Sequence, residues 1–237
     1  MPVSADTPAV KAAEEVNPPD FAGSVRSDNK IPSAETLKKI ADLPILDREG
    51  KSQPFKSLYA EPGHTLIIFV RHFFCGNCQE YLRILSEAIP AADLATAPVP
   101  TRIVAIGCGD PSLIGMYAEA SASQYPIYAD PTRKLYDELG MVCTLALGSA
   151  PGYMRHTSIL ASSLRSTLQG LRMIPRGLTL KGGNQRQVGG EFLFETKAGV
   201  EAASVTWCHR MKSTRDHCEP FEIQDVLSLP KSQTEVK

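Results

Sequence analysis

Short apolar runs and longer amphipathic stretches alternate along the chain. The two most apolar runs, Thr65–Arg71 and Arg102–Gly107, are typical of strands that are buried on both faces of a sheet. Cys75–Ile89 follows the first run and repeats its apolar positions at helical spacing. Parallel strands joined by helical crossovers characterise the α/β class, so the pattern predicts a central sheet flanked by helices.

Shorter elements are predicted on either side of these runs. Asp110 and Asp130 are each followed by proline, and this pair predicts a helix with Asp as its N-cap. The first of these helices should end near Ala122 and the second at Gly140. The other predicted elements are a helix over Glu35–Leu43, strands at Pro44–Asp47 and Tyr125–Ala129, an antiparallel hairpin from Glu191–Glu195 and Val200–Cys208, and a closing helix over Pro220–Leu229.

One domain accounts for most of the chain. Residues 1–32 are rich in Pro, Ala, Ser and charge, so they bury too little to offset the entropy of ordering and are predicted to be a mobile tail. Residues 33–229 form the predicted domain, and residues 230–237 form a second tail. An insertion over about residues 141–190 is predicted to be helical and to precede the C-terminal hairpin. Its apolar stripe comprises Leu160, Leu164, Leu168 and Leu171.

Length and composition exclude several classes of protein. The chain has 237 residues, of which 43% are hydrophobic and 22% charged, as in one globular domain with additions. A formal net charge of −1 gives no global argument for a nucleic-acid or anionic-membrane partner. The longest apolar run, Thr65–Val70, is far shorter than the roughly 20 residues of a membrane span. The N-terminus does not have the pattern of a secretory signal, so we expect a cytoplasmic protein, with import into an organelle left open.

The cysteines carry the candidate chemistry. Six are too few for a disulfide-stabilised scaffold, and in a reducing compartment a Cys pair is more often catalytic or metal-binding. Cys75-Gly76-Asn77-Cys78 stands where a central strand passes into a helix. A thiol at a helix N-terminus faces unpaired backbone N–H groups and the positive end of the helix dipole, which both stabilise the thiolate. The motif therefore predicts a redox-active dithiol.

Helix phase assigns different roles to the two thiols. Cys78 shares a helical stripe with Leu82, Leu85 and Ile89, so it should be buried and act as the resolving thiol. Cys75 lies ahead of this stripe, at the predicted mouth of the site, and is the candidate attacking thiolate.

Three residues within or next to the motif are candidates for supporting roles. Gly76 leaves one flank of the nucleophile unobstructed. Arg71 and His72 precede the motif and could supply positive charge to the thiolate, and a polar pair facing solvent is the alternative.

Metal binding is the competing interpretation of the motif. Cys75 and Cys78 could be packed cysteines, or half of a zinc site completed by Cys208-His209 and His217-Cys218. That spacing matches no common zinc finger, and neighbouring side chains of a strand point to opposite faces. We therefore predict no bound metal and no cofactor. Cys108 and Cys143 are predicted to be buried or half-buried residues, and Cys108 could be a secondary thiol at the same sheet edge.

The block Arg71-His72-Phe73-Phe74-Cys75-Gly76-Asn77-Cys78 resembles the peroxiredoxin-like 2 family, in the alkyl hydroperoxide reductase/thiol-specific antioxidant branch of thioredoxin-fold proteins. The resemblance extends from about residue 40 to residue 229. It is supported by Ile103–Gly107, Tyr125–Met141, Gln187–Phe192 and Asp216-His217.

The resemblance implies a thioredoxin-like fold with a redox-active Cys-x-x-Cys pair and an antioxidant role. True peroxiredoxins hold the peroxide with a Thr three residues before the Cys and with a distant Arg. Here His72 takes the Thr position, and Arg71, Arg133 and Arg186 are all candidates for the Arg.

A cis-Pro faces the motif in thioredoxins, and its place here is taken by Val188, Gly189 and Gly190. Those glycines suggest a more open wall that suits a thiol or disulfide substrate, or alternatively a β-bulge.

The net charge conceals an asymmetry. Residues 139–190 hold six basic residues and no acidic one, so the remaining 19 basic and 26 acidic residues leave −7 for the rest of the chain. If this insertion flanks the active edge, it would favour the thiolate and anionic substrates. A solvated basic face or a surface for an acidic partner is the alternative. The six residues are Arg155, Arg165, Arg172, Arg176, Lys181 and Arg186.

The leading functional hypothesis is a thiol-dependent antioxidant oxidoreductase. A small peroxide or disulfide would be its substrate, and a thiol donor such as thioredoxin or glutathione would reset the pair. The alternatives are a reductase of lipid endoperoxides of the prostaglandin type, a non-enzymatic thioredoxin-fold module that senses redox state, and a zinc protein.

Overall fold

The computed structural model describes residues 27–95, 97–154, 181–200 and 202–229. Residues 1–26 of the predicted N-terminal tail (residues 1–32) and the predicted C-terminal tail (residues 230–237) lie outside this part of the chain. So does the predicted helical stripe of the insertion, because residues 155–180 are not described. Of its basic residues, Lys181 and Arg186 are described.

Seven strands form one mixed sheet in the described part of the chain, with the order β2-β1-β5-β4-β3-β6-β7. β3 pairs in parallel with β4, and β4 with β5, whereas β6 runs antiparallel to both β3 and β7. The strands are β1 (Pro44–Leu46), β2 (Ser52–Pro54), β3 (Gly63–Phe69), β4 (Thr101–Gly107), β5 (Ile127–Ala129), β6 (Gly190–Thr196) and β7 (Ser204–Arg210).

Six α-helices connect or cover these strands in the described residues. The helix after β3 has 13 residues, and the other helices are short. They are α1 (Ala34–Ile40), α2 (Gly76–Ala88), α3 (Ala91–Ala95), α4 (Ile114–Ser121), α5 (Lys134–Glu138) and α6 (Pro220–Val226).

The central strand β3 is apolar on both faces because both faces are covered. Leu66 and Ile68 belong to the core that packs against α2, α4 and α6. Ile67 and Phe69 alternate with them into a second core beneath α1 and α5. A mixed sheet between helical layers confirms the predicted α/β, thioredoxin-like fold.

Two predicted helix starts differ in detail from the structure. After Asp110, a 3-10 turn over Pro111–Leu113 precedes α4. After Asp130, the helix begins only at Lys134, because Arg133 adopts a left-handed conformation with φ of 60°. The carboxylate of Asp130 nevertheless accepts a hydrogen bond from the Leu135 backbone N–H at 2.9 Å, so it still caps the turn from further upstream.

The two described ends of the insertion meet beside the sheet edge. Cys143 and Gln187 form an isolated antiparallel bridge. The returning end then packs on the loop between β3 and α2, where the Phe73 N–H donates to the Gly182 carbonyl at 2.9 Å. The described ends of the insertion therefore flank the predicted active edge.

Candidate active site

The loop after β3 places Cys75 at the N-terminus of α2. Cys75 is the N-cap residue, and its Sγ accepts a hydrogen bond from the Cys78 backbone N–H at 3.4 Å. This sulfur caps a helix of 13 residues, so it faces the free N–H groups and the positive dipole end. The arrangement stabilises negative charge on the Cys75 sulfur.

The second thiol of the motif is within bonding reach of the first. The Cys78 thiol donates to Cys75 Sγ across 3.0 Å, and both cysteines are free thiols. This hydrogen bond lowers the pKa of Cys75, and the positive charge of Arg71 lowers it further, against the opposing effect of burial. Burial raises the pKa of Cys78, and the hydrogen bond to Cys75 and the thiolate charge add to this rise. The pair is therefore poised as one thiolate and one thiol.

Both sulfurs are buried, which corrects the expectation that Cys75 lies at the mouth of the site. Cys75 is 3% exposed and Cys78 is fully buried. The stripe that Cys78 shares with Leu82, Leu85 and Ile89 is buried as predicted. The Arg71 side chain that contacts Cys75 is held by residues from a distant part of the chain, and the segment at Gly182 packs against the loop that precedes the motif.

Arg71 is the cation that contacts the Cys75 thiol. Its Nη1 lies 3.4 Å from Cys75 Sγ, and the side chain is almost fully buried. Two backbone carbonyls hold the guanidinium: Nε donates to Gln187 at 3.3 Å and Nη2 donates to Gln185 at 2.5 Å. Both carbonyls belong to the returning end of the insertion. This segment therefore fixes the charge that faces the thiolate.

His72 does not supply positive charge, contrary to one of the sequence alternatives. Burial lowers the pKa of its imidazole to about 4, and the neighbouring charge of Arg71 acts in the same direction. The ring is therefore neutral near pH 7. It is also buried, so the alternative of a solvent-facing pair is wrong as well.

The supporting glycines serve packing rather than openness. Gly76 is the buried first residue of α2. A Cβ at Gly189 would lie 1.7 Å from the Phe69 carbonyl oxygen, and one at Gly190 would lie 2.5 Å from the His209 carbonyl oxygen. Neighbouring backbone therefore fills the space that the sequence suggested was open. Val188 is fully buried, and its N–H donates to the Val142 carbonyl at 3.1 Å.

The structure adds Glu191 to the site, together with His217 and His209, which the sequence offered as possible zinc ligands. His217 Nε2 lies 3.4 Å from Cys78 Sγ, and His217 Nδ1 lies 2.5 Å from Glu191 Oε1. The second oxygen of Glu191 lies 2.8 Å from His209 Nδ1. Burial raises the pKa of Glu191, but the charges and hydrogen bonds of the two histidines outweigh this effect and bring it to about 2. A buried carboxylate thus anchors an imidazole on the second thiol.

The zinc set considered from the sequence does not assemble. Cys208 lies in the core on the opposite face of the sheet from Cys75, Cys78 and Cys218. Its thiol donates to the backbone carbonyl of Asn29 at 3.3 Å. One carboxylate oxygen of Glu191, His209 and Cys218 do place three ligand-type atoms within 4.8 Å. Since Glu191 already shares hydrogen bonds with two imidazoles, we interpret this group as a hydrogen-bonded network and not as a metal site.

The remaining candidates lie away from the Cys75 sulfur. Cys108 is buried, donates to the Arg71 carbonyl at 2.9 Å, and has a pKa that burial raises to about 12. Arg133 contacts Cys143 Sγ at 3.6 Å rather than the motif. Lys181 forms an ion pair with Asp110 at 3.3 Å, so its charge is partly compensated.

No helix among the described residues has the length and apolar character needed to cross a membrane.

Comparison with known proteins finds a family model and curated relatives that are similar to this chain. A sequence model of the family described as "AhpC/TSA antioxidant enzyme" matches residues 85–213, a stretch that begins just after the Cys-x-x-Cys motif. The human protein named peroxiredoxin-like 2C is 31% identical over 191 residues, covering 80% of this chain and 78% of that protein. Its Mus musculus counterpart is 31% identical over 212 residues, covering 89% and 85%.

Solved structures are more distant. A peroxiredoxin-like protein from Aquifex aeolicus is 9% identical, with a TM-score of 0.48 over 88% of this chain and 94% of that one. This likeness is too remote to bear on the chemistry of the site.

Proposed function

Since this chain belongs to the AhpC/TSA antioxidant enzyme family and is peroxiredoxin-like, we propose that its thiol-dependent antioxidant chemistry runs through Cys75 and Cys78. Cys75 is the attacking thiolate and Cys78 the resolving thiol. The observation that carries the proposal is the environment of Cys75 Sγ, which caps α2, accepts the Cys78 thiol hydrogen bond and contacts the Arg71 guanidinium. All three contacts favour the thiolate.

The reaction proceeds in two displacements. With a peroxide, the Cys75 thiolate attacks one oxygen, the O–O bond breaks, and a sulfenic acid forms as the alcohol leaves with a proton. With a disulfide, the same attack gives a mixed disulfide and one free thiol. Cys78 then attacks Cys75 Sγ, which lies only 3.0 Å away, and releases water or the second thiol. An external dithiol of the thioredoxin class, or two molecules of a monothiol such as glutathione, then reduces the Cys75–Cys78 disulfide, restores both thiols and leaves as a disulfide itself.

Substrate choice depends on what surrounds the thiolate. The Thr hydroxyl that holds peroxide in true peroxiredoxins is replaced by His72, whose buried ring is neutral near pH 7. Arg71 is the cation in contact with the sulfur, so it takes the role of orienting an anionic or polar leaving group. A thiol that is 3% exposed admits only a slim group, and we therefore favour small peroxides and disulfides with little bulk at the reacting atom.

Thiol counting tests the proposal. Mild peroxide should convert Cys75 and Cys78 to one disulfide, seen by mass spectrometry as the loss of two alkylatable thiols, and a thioredoxin-type reductant should restore them. Cys75→Ser should abolish thiol-dependent turnover, and Cys78→Ser should stop the reaction at the Cys75 adduct. Cys208→Ser is the matched control, because its thiol lies in the core on the opposite face. Full activity of Cys75→Ser would refute the proposal.

Burial of both thiols favours one second candidate, a redox sensor that does not turn over. In that case the Cys75–Cys78 disulfide would form and alter binding through the insertion that packs on the motif loop. Oxidation without catalytic turnover of any peroxide or disulfide, at a reduction potential near the cytosolic poise, would identify the sensor. Turnover with a panel that includes lipid endoperoxides would identify the enzyme and its substrate class.

A further inference from the structure

The resolving step leaves a proton that the buried site must remove. Cys78 is fully buried and its burial raises the pKa of its thiol, so water is not at hand to act as the base. In the resting pair the Cys78 thiol donates to the Cys75 thiolate. Once Cys75 has reacted with a substrate, this acceptor is lost, and the His217 imidazole is the other acceptor within reach, at 3.4 Å.

We propose that His217 is the general base that takes the proton of Cys78 in the resolving step, and that Glu191 is the positioning residue that holds its ring. This inference rests on the dithiol chemistry proposed above. The proton passes from Cys78 Sγ to His217 Nε2 as the Cys78 sulfur forms its bond to Cys75 Sγ. The bond from Cys75 Sγ to the leaving oxygen or sulfur breaks, and the leaving group takes a proton from solvent.

The hydrogen bonds around His217 prepare it for this role. Glu191 Oε1 accepts the Nδ1 proton at 2.5 Å, which leaves Nε2 unprotonated and facing the thiol in the neutral ring. The Tyr81 ring stacks on the imidazole at 4.2 Å and within 2° of parallel, so the plane of the ring is fixed. After proton transfer, the imidazolium is adjacent to the Glu191 carboxylate, which offsets the cost of a buried charge.

The same network offers a way out for the proton. His217 and His209 both line a cleft of about 720 Å³ on the outer side of β7 and α6. His209 is joined to the second oxygen of Glu191 at 2.8 Å, and its side chain is 17% exposed. The imidazolium can therefore release its proton into this cleft and toward solvent.

Several titratable groups from every neighbouring element face this imidazole and shape its pH dependence. Acidic groups predominate around the cleft, because Arg215 lines it together with four acidic residues. The groups are Cys78 and Tyr81 of α2, Tyr153 of the 3-10 turn, Glu191 of β6, His209 of β7, Arg215, Asp216, Cys218 and Glu219 of the segment before α6, and Glu222 and Asp225 of α6.

A small thiolating reagent isolates the resolving step. Methyl methanethiosulfonate converts the Cys75 thiolate to its S-methyl mixed disulfide, and attack by Cys78 then expels methanethiol. Acid quenching and mass spectrometry give the lifetime of the adduct. We expect His217→Gln to slow resolution by roughly 100-fold near pH 7, within the usual contribution of general base catalysis, and to leave adduct formation nearly unchanged. The rate in this variant should rise about tenfold per pH unit, a steeper dependence than that of the native protein, because only hydroxide or thiolate formation then replaces the base.

Two further variants keep the test decisive. Glu191→Gln retains a hydrogen-bond acceptor but removes the charge, so we expect roughly tenfold slower resolution and a pH profile displaced to lower pH. His64→Gln, a substitution of the same kind at the far end of β3, should resolve at the native rate. If folded His217→Gln or Glu191→Gln resolves at the native rate with an unchanged pH profile, the assignment is wrong. A native adduct that never resolves would instead overturn the dithiol chemistry itself, and the base with it.

Discussion

Replacing Arg71 with methionine measures how much one buried cation contributes to the reactivity of Cys75. Nη1 lies 3.4 Å from the Cys75 sulfur, and two unit charges at that distance interact by about 5 kcal/mol at an effective dielectric constant of about 20. This energy corresponds to a shift of about 3.5 units in the pKa of the Cys75 thiol. The shift is an upper bound, because the substitution also changes the burial of the sulfur. We therefore expect Arg71→Met to raise the pKa of Cys75 by about 1–3 units.

The pH dependence of Cys75 alkylation, followed peptide by peptide with iodoacetamide, reports this pKa directly. Because the thiolate is the reactive form, a raised pKa moves the midpoint of the alkylation profile to higher pH. Arg133→Met removes an equal charge beside a different thiol, at 3.6 Å from Cys143, and should leave the Cys75 midpoint in place.

Stability must be followed in the same experiment. Arg71→Met leaves the carbonyls of Gln185 and Gln187 without this donor, and for the buried Gln187 we expect a loss of about 1–3 kcal/mol in the free energy of unfolding. A folded Arg71→Met protein with the native alkylation midpoint would refute the argument that this guanidinium stabilises the thiolate.

Two further predictions concern the support of the site. The pKa of Glu191 is about 2 against an ordinary 4.5, so its ionisation stabilises the fold above about pH 4.5, and this contribution, up to about 3 kcal/mol, is lost as the pH falls toward 2. Urea unfolding of Glu191→Gln should therefore show lower stability at pH 7 and a shallower loss in acid, and parallel acid curves would contradict this. Gly189→Ala places a Cβ 1.7 Å from the Phe69 carbonyl and should lower the free energy of unfolding by about 3 kcal/mol or more, measured by thermal or urea denaturation. The control is Gly115→Ala within α4, where the new Cβ meets only the flexible end of the Arg48 side chain, so this variant should be neutral or stabilising. Equal losses of stability in the two variants would contradict the packing argument.

The local pattern of apolar residues was sufficient to predict the strand and the helix that position Cys75 and Cys78. The apolar run ending near Arg71 and the stripe of Cys78, Leu82, Leu85 and Ile89 depend on periodicity within 20 residues, and both have the predicted burial. Strand alternation also separated Cys208 from His209 correctly, since the thiol points into one core and the imidazole toward Glu191 on the other face. The depth of Cys75 was not predictable in this way, because the Arg71 side chain against it is held by Gln185 and Gln187, more than 100 residues later in the chain.

The partners of Cys78 were hidden for the same reason, although one of them left a signal in the sequence. His217 lies 139 residues from Cys78, and no periodicity connects the two. Glu191, however, is an acidic residue within the strand Gly190–Thr196, whose central residues are otherwise apolar. A carboxylate in such a strand faces a large desolvation cost unless cationic or hydrogen-bonding groups meet it. The sequence offers two histidines close to the hairpin, His209 and His217, as candidates for that role. An acidic residue in a predicted apolar hairpin strand is therefore a reason to search for an imidazole, and here that imidazole is in contact with the resolving thiol.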